Sequence, residues 1–218
     1  MDGVRSLVEF ITGNTSGIVE RTTEHLVIVL GVMLAATLFS VFLGIAVQHR
    51  PFAKQLSLGT AGVMLTIPSL ALFAIFIPLV GIGNRPAQIA LFLYAILPIL
   101  RNTVTGLDAV DPAIVEAAQG MGMGQVQQLF RVRIPLAWPV IIAGIRVSTQ
   151  LITGVAAIAV LVGGGGLGSY IQRGLTSLGN PFSIERVWTG TIFIIVLALV
   201  LDVVLGFVGK RTTSPGIR

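Results

Sequence analysis

Long apolar runs alternate with short polar stretches along the chain, and the runs set the expected elements. Residues 26–47, LVIVLGVMLAATLFSVFLGIAV, carry no charge. As a helix rising 1.5 Å per residue this run reaches about 33 Å, enough to cross a hydrocarbon core of roughly 30 Å. A second run, 56–80, contains Pro68 and Pro78 and predicts a span kinked by proline. A third, 87–100, becomes long enough if it continues past Arg101 towards Leu107, with the guanidinium reaching to the surface. Runs 138–162 and 187–208 predict a fourth and a fifth span.

The polar stretches differ from one another. Residues 1–25 are too short and too polar to cross, but Val4, Leu7, Val8 and Ile11 fall at helical spacing. They predict an interfacial helix, closed by a turn at TGNTSG. Between the third and fourth runs lies DAVDPAIVEAAQGMGMGQVQQLFRVRIPLAWP. Asp111 before Pro112 is a helix start, since Asp caps free N–H groups and Pro suits the first turn. That helix should run from 112 to about 121, be interrupted at Gly120, Gly122 and Gly124, and give way to a second short helix over 125–132 that stops before Pro135. The expectation is an all-α polytopic membrane protein with about five transmembrane helices in one domain over 1–218. In it, 1–25 lies at the outer surface and 108–135 in the cytoplasm.

Composition supports the membrane reading. The chain is 54% hydrophobic and 11% charged, with a mean hydropathy of +0.94, against about 25% charged residues in soluble domains. Helices are implied, because backbone groups in lipid must be satisfied within a segment and no alternating barrel pattern is present. The net charge is +5, but the basic residues sit singly at the ends of apolar runs, which argues topology rather than nucleic-acid binding. Arg50, Lys54, Arg101, Arg131, Arg133, Lys210, Arg211 and Arg218 fall on one side. Arg5, Arg21, Arg85, Arg173 and Arg186 fall on the other, balanced by acids. The positive-inside rule then puts the N-terminus outside and the C-terminus in the cytoplasm.

Candidate chemistry is sparse. There is no cysteine, and His25 and His49 stand alone, so no catalytic or metal site is expected. GGGGLG at 163–168 lacks the Lys-Ser/Thr of a phosphate loop. It reads as a helix end unwinding, with Gly163, Gly164, Gly165 and Gly166 as a candidate flexible gate before a short helix SYIQRGLTSL. Thr66 and Ser69, flanking Pro68, are polar groups placed to line a path, with packing as the alternative account, and Asn102 is placed to line it equally well, the alternative being a position at the cytoplasmic end of its span. Arg146 and Asp202 are the ionisable residues inside predicted spans, and contact between helices is the expected role. Two readings of 112–135 stay open on the residues alone. It is a docking surface, where Ala117 and Ala118 admit another backbone, Glu116 anchors it and the methionines adapt, or it is an amphipathic helix lying on lipid.

Residues 116–135, EAAQGMGMGQVQQLFRVRIP, resemble the EAA signature of permeases in binding-protein-dependent ABC importers. That pattern is EAA, three residues, Gly, nine residues, then Ile-x-Leu-Pro. Glu116, Ala117, Ala118, Gly122 and Pro135 match, with Val132 and Ile134 as mild aliphatic substitutions. The resemblance implies a type I importer permease whose residues Glu116, Ala117, Ala118, Gly122 and Met123 couple to a separate ATPase subunit. ATP and Mg²⁺ would be bound there and no cofactor here. It further implies a second permease subunit (copy or paralogue), an extracytoplasmic solute-binding protein, and a bacterial or archaeal cytoplasmic membrane. TIPSLALFAIFIPLVGIG, LPILRNTVTGL and IAGIRVSTQLITGVAAIAVLVGGGGLG look most like permeases for glycine betaine, carnitine, choline and proline betaine. Importers of another small solute such as an amino acid, and secondary transporters, are the alternatives. Quaternary ammonium groups are held in aromatic cages, and no aromatic cluster is visible in the sequence. Recognition is therefore expected in the separate binding protein.

Overall fold

The computed structural model describes residues 2–213, and every regular element in that range is helical. In chain order these are α1 (Asp2–Gly13), α2 (Thr15–Val47), α3 (Pro51–Thr66), α4 (Ser69–Val80), α5 (Asn84–Asp108), α6 (Pro112–Gly120) and α7 (Gln125–Gln128). A π turn (Leu129–Arg133) leads into α8 (Ile134–Val155), and a 3₁₀ turn (Ala156–Val162) extends it. Then come α9 (Gly168–Thr176) and α10 (Ser183–Thr212). Long, apolar crossings are formed by α2, α5, the continuous rod Gln125–Val162, and α10. The α3–α4 pair, bent by 98°, makes a fifth crossing when counted as one.

That bend corrects the expectation of a simple proline kink. Proline drives the residue before it out of the α region, and Ile67 and Pro68 both adopt extended ψ angles of about 130°. Two consecutive extended residues end one helix and start another at nearly a right angle. The carbonyl freed at Ile67 accepts a hydrogen bond from the Tyr94 hydroxyl on α5, so the break is satisfied within the protein. Pro78 lies inside α4 without ending it.

A second correction concerns 125–135. The segment does not stop before Pro135 but runs through the π turn into α8. Pro135 sits in the first turn of α8, where its missing N–H costs little. The wider π winding just before it accommodates the ring without a kink. The third crossing extends to Asp108 with Arg101 exposed, as the longer reading required. The expected TGNTSG turn shrinks to Asn14 alone, whose side-chain amide donates to the Phe10 carbonyl at 2.9 Å.

The central helix is α5, which packs against α8 and α2 on its flanks and against α3 and α4. Lipid tails are as apolar as leucine, so helices in a bilayer gain by close fit rather than by burial from water. Small residues provide that fit. A Cβ added at Gly144 would stand 2.6 Å from the Asn102 Cβ and 2.8 Å from the Pro98 carbonyl oxygen. Gly44 lies equally close to Thr103, and a Cβ at Gly106 would stand 3.0 Å from the Ala137 carbonyl oxygen. The opposite faces carry the large groups: Leu30, Leu34, Leu38 and Phe42 form an exposed stripe on α2, and Ile195, Leu199, Val203 and Phe207 one on α10.

Candidate functional site

The α6 end of the bundle carries the matched signature. Asp111 caps α6, its carboxylate accepting from the Ala113 N–H at 2.8 Å, and Pro112 occupies the first turn. The other end closes in a Schellman arrangement: the Gly122 N–H donates to Gln119 and the Met123 N–H to Ala118. Gly122 sits at φ +83°, a left-handed conformation that costs a glycine nothing. The signature glycine is thus the residue that terminates the helix.

Within α6 the two alanines part company. Ala118 is buried against the chain's own segment behind it, while Ala117 is exposed with Glu116. At 100° per residue, Ala113, Glu116 and Gly120 fall opposite Ala118, with Ala117 beside them. All four are exposed, so α6 presents a nearly smooth strip of small residues bearing one carboxylate. Ala118 serves a different purpose from that strip, since its small side chain lets α6 lie close on α7 and the π turn. Met123 is half-buried; its carbonyl accepts from the Gln128 side-chain amide at 2.7 Å, while Met121 is 71% exposed. Val126 on α7 and Phe130 in the π turn are exposed as well.

Polar ties fasten this end to the bundle. Lys54 pairs with Asp108 at 2.8 Å, joining the start of α3 to the end of α5. Arg133 meets His49 at 3.0 Å, and the Trp138 indole donates to Thr212 at 2.6 Å. Farther in, Arg146 grips Asp202 through two hydrogen bonds of 2.8 and 2.7 Å, linking α8 to α10 as the expected helix contact. The pair forms part of the wall of a cleft of about 800 Å³ between those helices.

At the opposite end, each N–H of the glycine segment has a hydrogen-bond partner. Gly163 takes the left-handed conformation at the end of the 3₁₀ turn. The N–H groups of Gly163 and Gly164 donate to Val160 and Ala159, that of Gly165 to the Asn84 side chain at 2.8 Å, and that of Gly166 to Glu24 at 2.9 Å. His25, fully buried, lies against Gly166 and contacts the Thr153 carbonyl through Nε2 at 3.0 Å. A carbonyl only accepts, so Nε2 carries the proton and Nδ1 is left without a partner among the described residues. Of the other polar candidates, Thr66 is exposed at the α3–α4 bend and bonds back to Val63, with Ser69 half-buried across it. Asn102 is drawn into the α5–α8 seam, where its amide donates to Pro98 at 2.8 Å. Sequence reasoning missed the partnership of Glu24 and Asn84 with the glycine loop, because both lie far from it in the chain and carry no motif.

Residues 27–214 match the family described as binding-protein-dependent transport system inner membrane component. The chain belongs to that family. It is 39% identical over 212 residues to the choline transport system permease protein OpuBB of Bacillus subtilis, covering 97% of this chain and 96% of that one. It is 38% identical to the glycine betaine/carnitine/choline transport system permease protein OpuCB of the same organism, over 99% and 97% of the two chains. A chain of the inward-facing MetNI methionine ABC transporter superposes with a TM-score of 0.71 at 22% identity, over 89% of this chain and 93% of that one, and shares the fold. As an inner membrane component the protein is a multi-pass transport subunit. ATP hydrolysis belongs to a separate ATPase, and solute capture to a binding protein.

Proposed function

We propose that the chain is the membrane subunit of an ATP-driven importer for osmoprotectants of the glycine betaine, choline and carnitine class. The observation that carries this is similarity over nearly the whole chain to permeases named for those solutes. The importer then contains ATPase subunits, a solute-binding protein and a second permease subunit, copy or paralogue, with the pathway between the two permeases. Glu116, Ala117, Ala118, Gly122 and Met123 form the coupling element. Glu116 and Ala117 make the contact, while Ala118, Gly122 and Met123 hold the helix in shape. This end faces the cytoplasm and the N-terminus lies outside, following the basic residues. The whole of 1–218 acts as one permease unit, with 1–25 as its outer segment and 108–135 as its cytoplasmic one. Thr66 and Ser69 line the pathway at the α3–α4 break. Gly163, Gly164, Gly165 and Gly166 form an outer gate latched by Glu24 and Asn84. Asn102 serves packing.

The test is uptake by proteoliposomes holding the complete transporter and its binding protein. ATP-dependent accumulation of labelled glycine betaine, choline or carnitine, abolished by a catalytically dead ATPase, is expected. Accumulation of amino acids alone, or uptake without ATP, would overturn the reading.

A further inference from the structure

At the end of the bundle remote from α6, a cleft of about 470 Å³ opens between α1, α2, α9 and α10. Arg21, Arg173 and Arg186 line it, together with Glu20, Asn14 and Tyr170. Arg21 is taken by Glu24 at 2.8 Å, and Arg186 reaches the Ser177 hydroxyl at 3.3 Å and stands 6.0 Å from the Phe10 ring. Arg173 forms no ion pair among the described residues. With Glu20 and Glu24 set against the three guanidinium groups, one positive charge is left over, the complement of a monoanion.

Tyr170 gives a second, independent pointer. The residue is only 8% exposed, wedged against Phe10 and Ile18, yet its hydroxyl lines the cleft with no hydrogen-bond partner among the described residues. Burial raises the phenol's pKa, with the arginines opposing, so at neutral pH it remains a donor. A nearly buried hydroxyl set against Gly17, in a cleft that an unpaired guanidinium also lines, is suited to an anionic oxygen.

Depth decides which anion. Alongside this cleft, α1 turns Val4 and Val8 outward, and Trp188 is exposed near Val4 at the start of the α10 crossing. Exposed valines on an amphipathic helix, beside an exposed tryptophan, mark the headgroup level of a bilayer. We propose that the Arg21–Arg173–Arg186 cleft, with the Tyr170 hydroxyl, holds the phosphate of an anionic phospholipid headgroup. The α1 helix covers one side of it and the acyl chains run down the apolar faces of α2 and α10.

The experiment is native mass spectrometry of the assembled transporter taken from nanodiscs of equal phosphatidylglycerol and phosphatidylcholine. Wild type is expected to retain phosphatidylglycerol preferentially. Arg173→Ala should lose that preference several-fold, Tyr170→Phe should lose part of it, and Arg173→Lys should keep most. Should Arg173→Ala fail to assemble, Tyr170→Phe carries the test, because it removes one oxygen from a packed ring. Equal retention in wild type and variants overturns the proposal. So does stabilisation by inorganic phosphate alone to the extent given by phosphatidylglycerol, which would make this a free-anion site. Loss of binding-protein-stimulated ATPase activity in Arg173→Ala with lipid retention unchanged would make the cleft a protein dock and refute the lipid.

Discussion

Gly122 offers the sharpest test of how the α6 element is built. Its φ of +83° costs a residue bearing a Cβ about 1–2 kcal/mol, and nothing lies within 4 Å of where that Cβ would stand. A substitution there therefore changes backbone preference without creating a clash. The nine residues of α6 depend on their caps, since so short a helix is marginal by itself. Losing 1–2 kcal/mol in the Schellman turn lowers the ratio of capped to uncapped forms by about five- to thirty-fold, and so the capped population by roughly three- to fifteen-fold where that form is only just stable. Apparent affinity falls in proportion to the population that remains competent. Gly122→Val should therefore weaken ATPase capture and ATP-driven uptake by up to about tenfold. Gly122→Ala should be milder, and Gly122→Asn the mildest because asparagine tolerates the left-handed region. Gly124→Ala is the control, with φ at −68° and open space around it. Titration of purified permease with ATPase in detergent, followed by uptake in vesicles, reads both quantities. The reasoning fails if Gly124→Ala costs as much as Gly122→Val, or if Gly122→Val couples like wild type.

Charge reversal at Glu116 should abolish ATPase capture while leaving thermal stability within about 0.5 kcal/mol, since the side chain is exposed. Unchanged capture would remove Glu116 from the contact. Asp202→Ala and Arg146→Ala should each lower the melting temperature, with a double-mutant coupling of about 1–2 kcal/mol. That is less than for a fully buried pair, because the Arg146 side chain is 41% exposed; additive losses would show that the bidentate contact contributes nothing. Gly144→Ala should cost about 1–3 kcal/mol by pushing α8 away from Asn102 and the Pro98 backbone of α5, whereas Gly31→Ala, with open space around it, should be neutral. Tyr94→Phe strands the Ile67 carbonyl and should speed hydrogen exchange across 65–70; exchange no faster than wild type would mean that the bend is held otherwise.

Much of this architecture was legible because membrane helices announce themselves by length and polarity. The five apolar runs and the cap at Asp111 needed only local rules. What stayed hidden depended on partners distant in sequence. Pro68 predicts an interruption, but its angle rests on two extended residues and on Tyr94 in another helix. Pro135 looks like a stop, yet a π turn carries the helix past it. No sequence window joins Arg146 to Asp202 or Glu24 to Gly166. The same is true of Phe10, Tyr170 and Phe182, three rings from separate segments that meet at one end of the bundle. Both alanines of the signature looked equivalent on paper, and only packing separates the outward Ala117 from the inward Ala118.

The uninterrupted helix from Gln125 to Val162 has a mechanical consequence. It begins beside α6, ends at the glycine loop, and lies against α5 over much of that length, with Ala137 close to Gly106, Gly144 on Asn102 and Pro98, and Ile152 fully buried. A beam seated at several points along its bed has no single pivot. It shifts together with the helix that carries it, so a displacement of the tip beside α6 is felt at the glycine loop without any change in the chain between them.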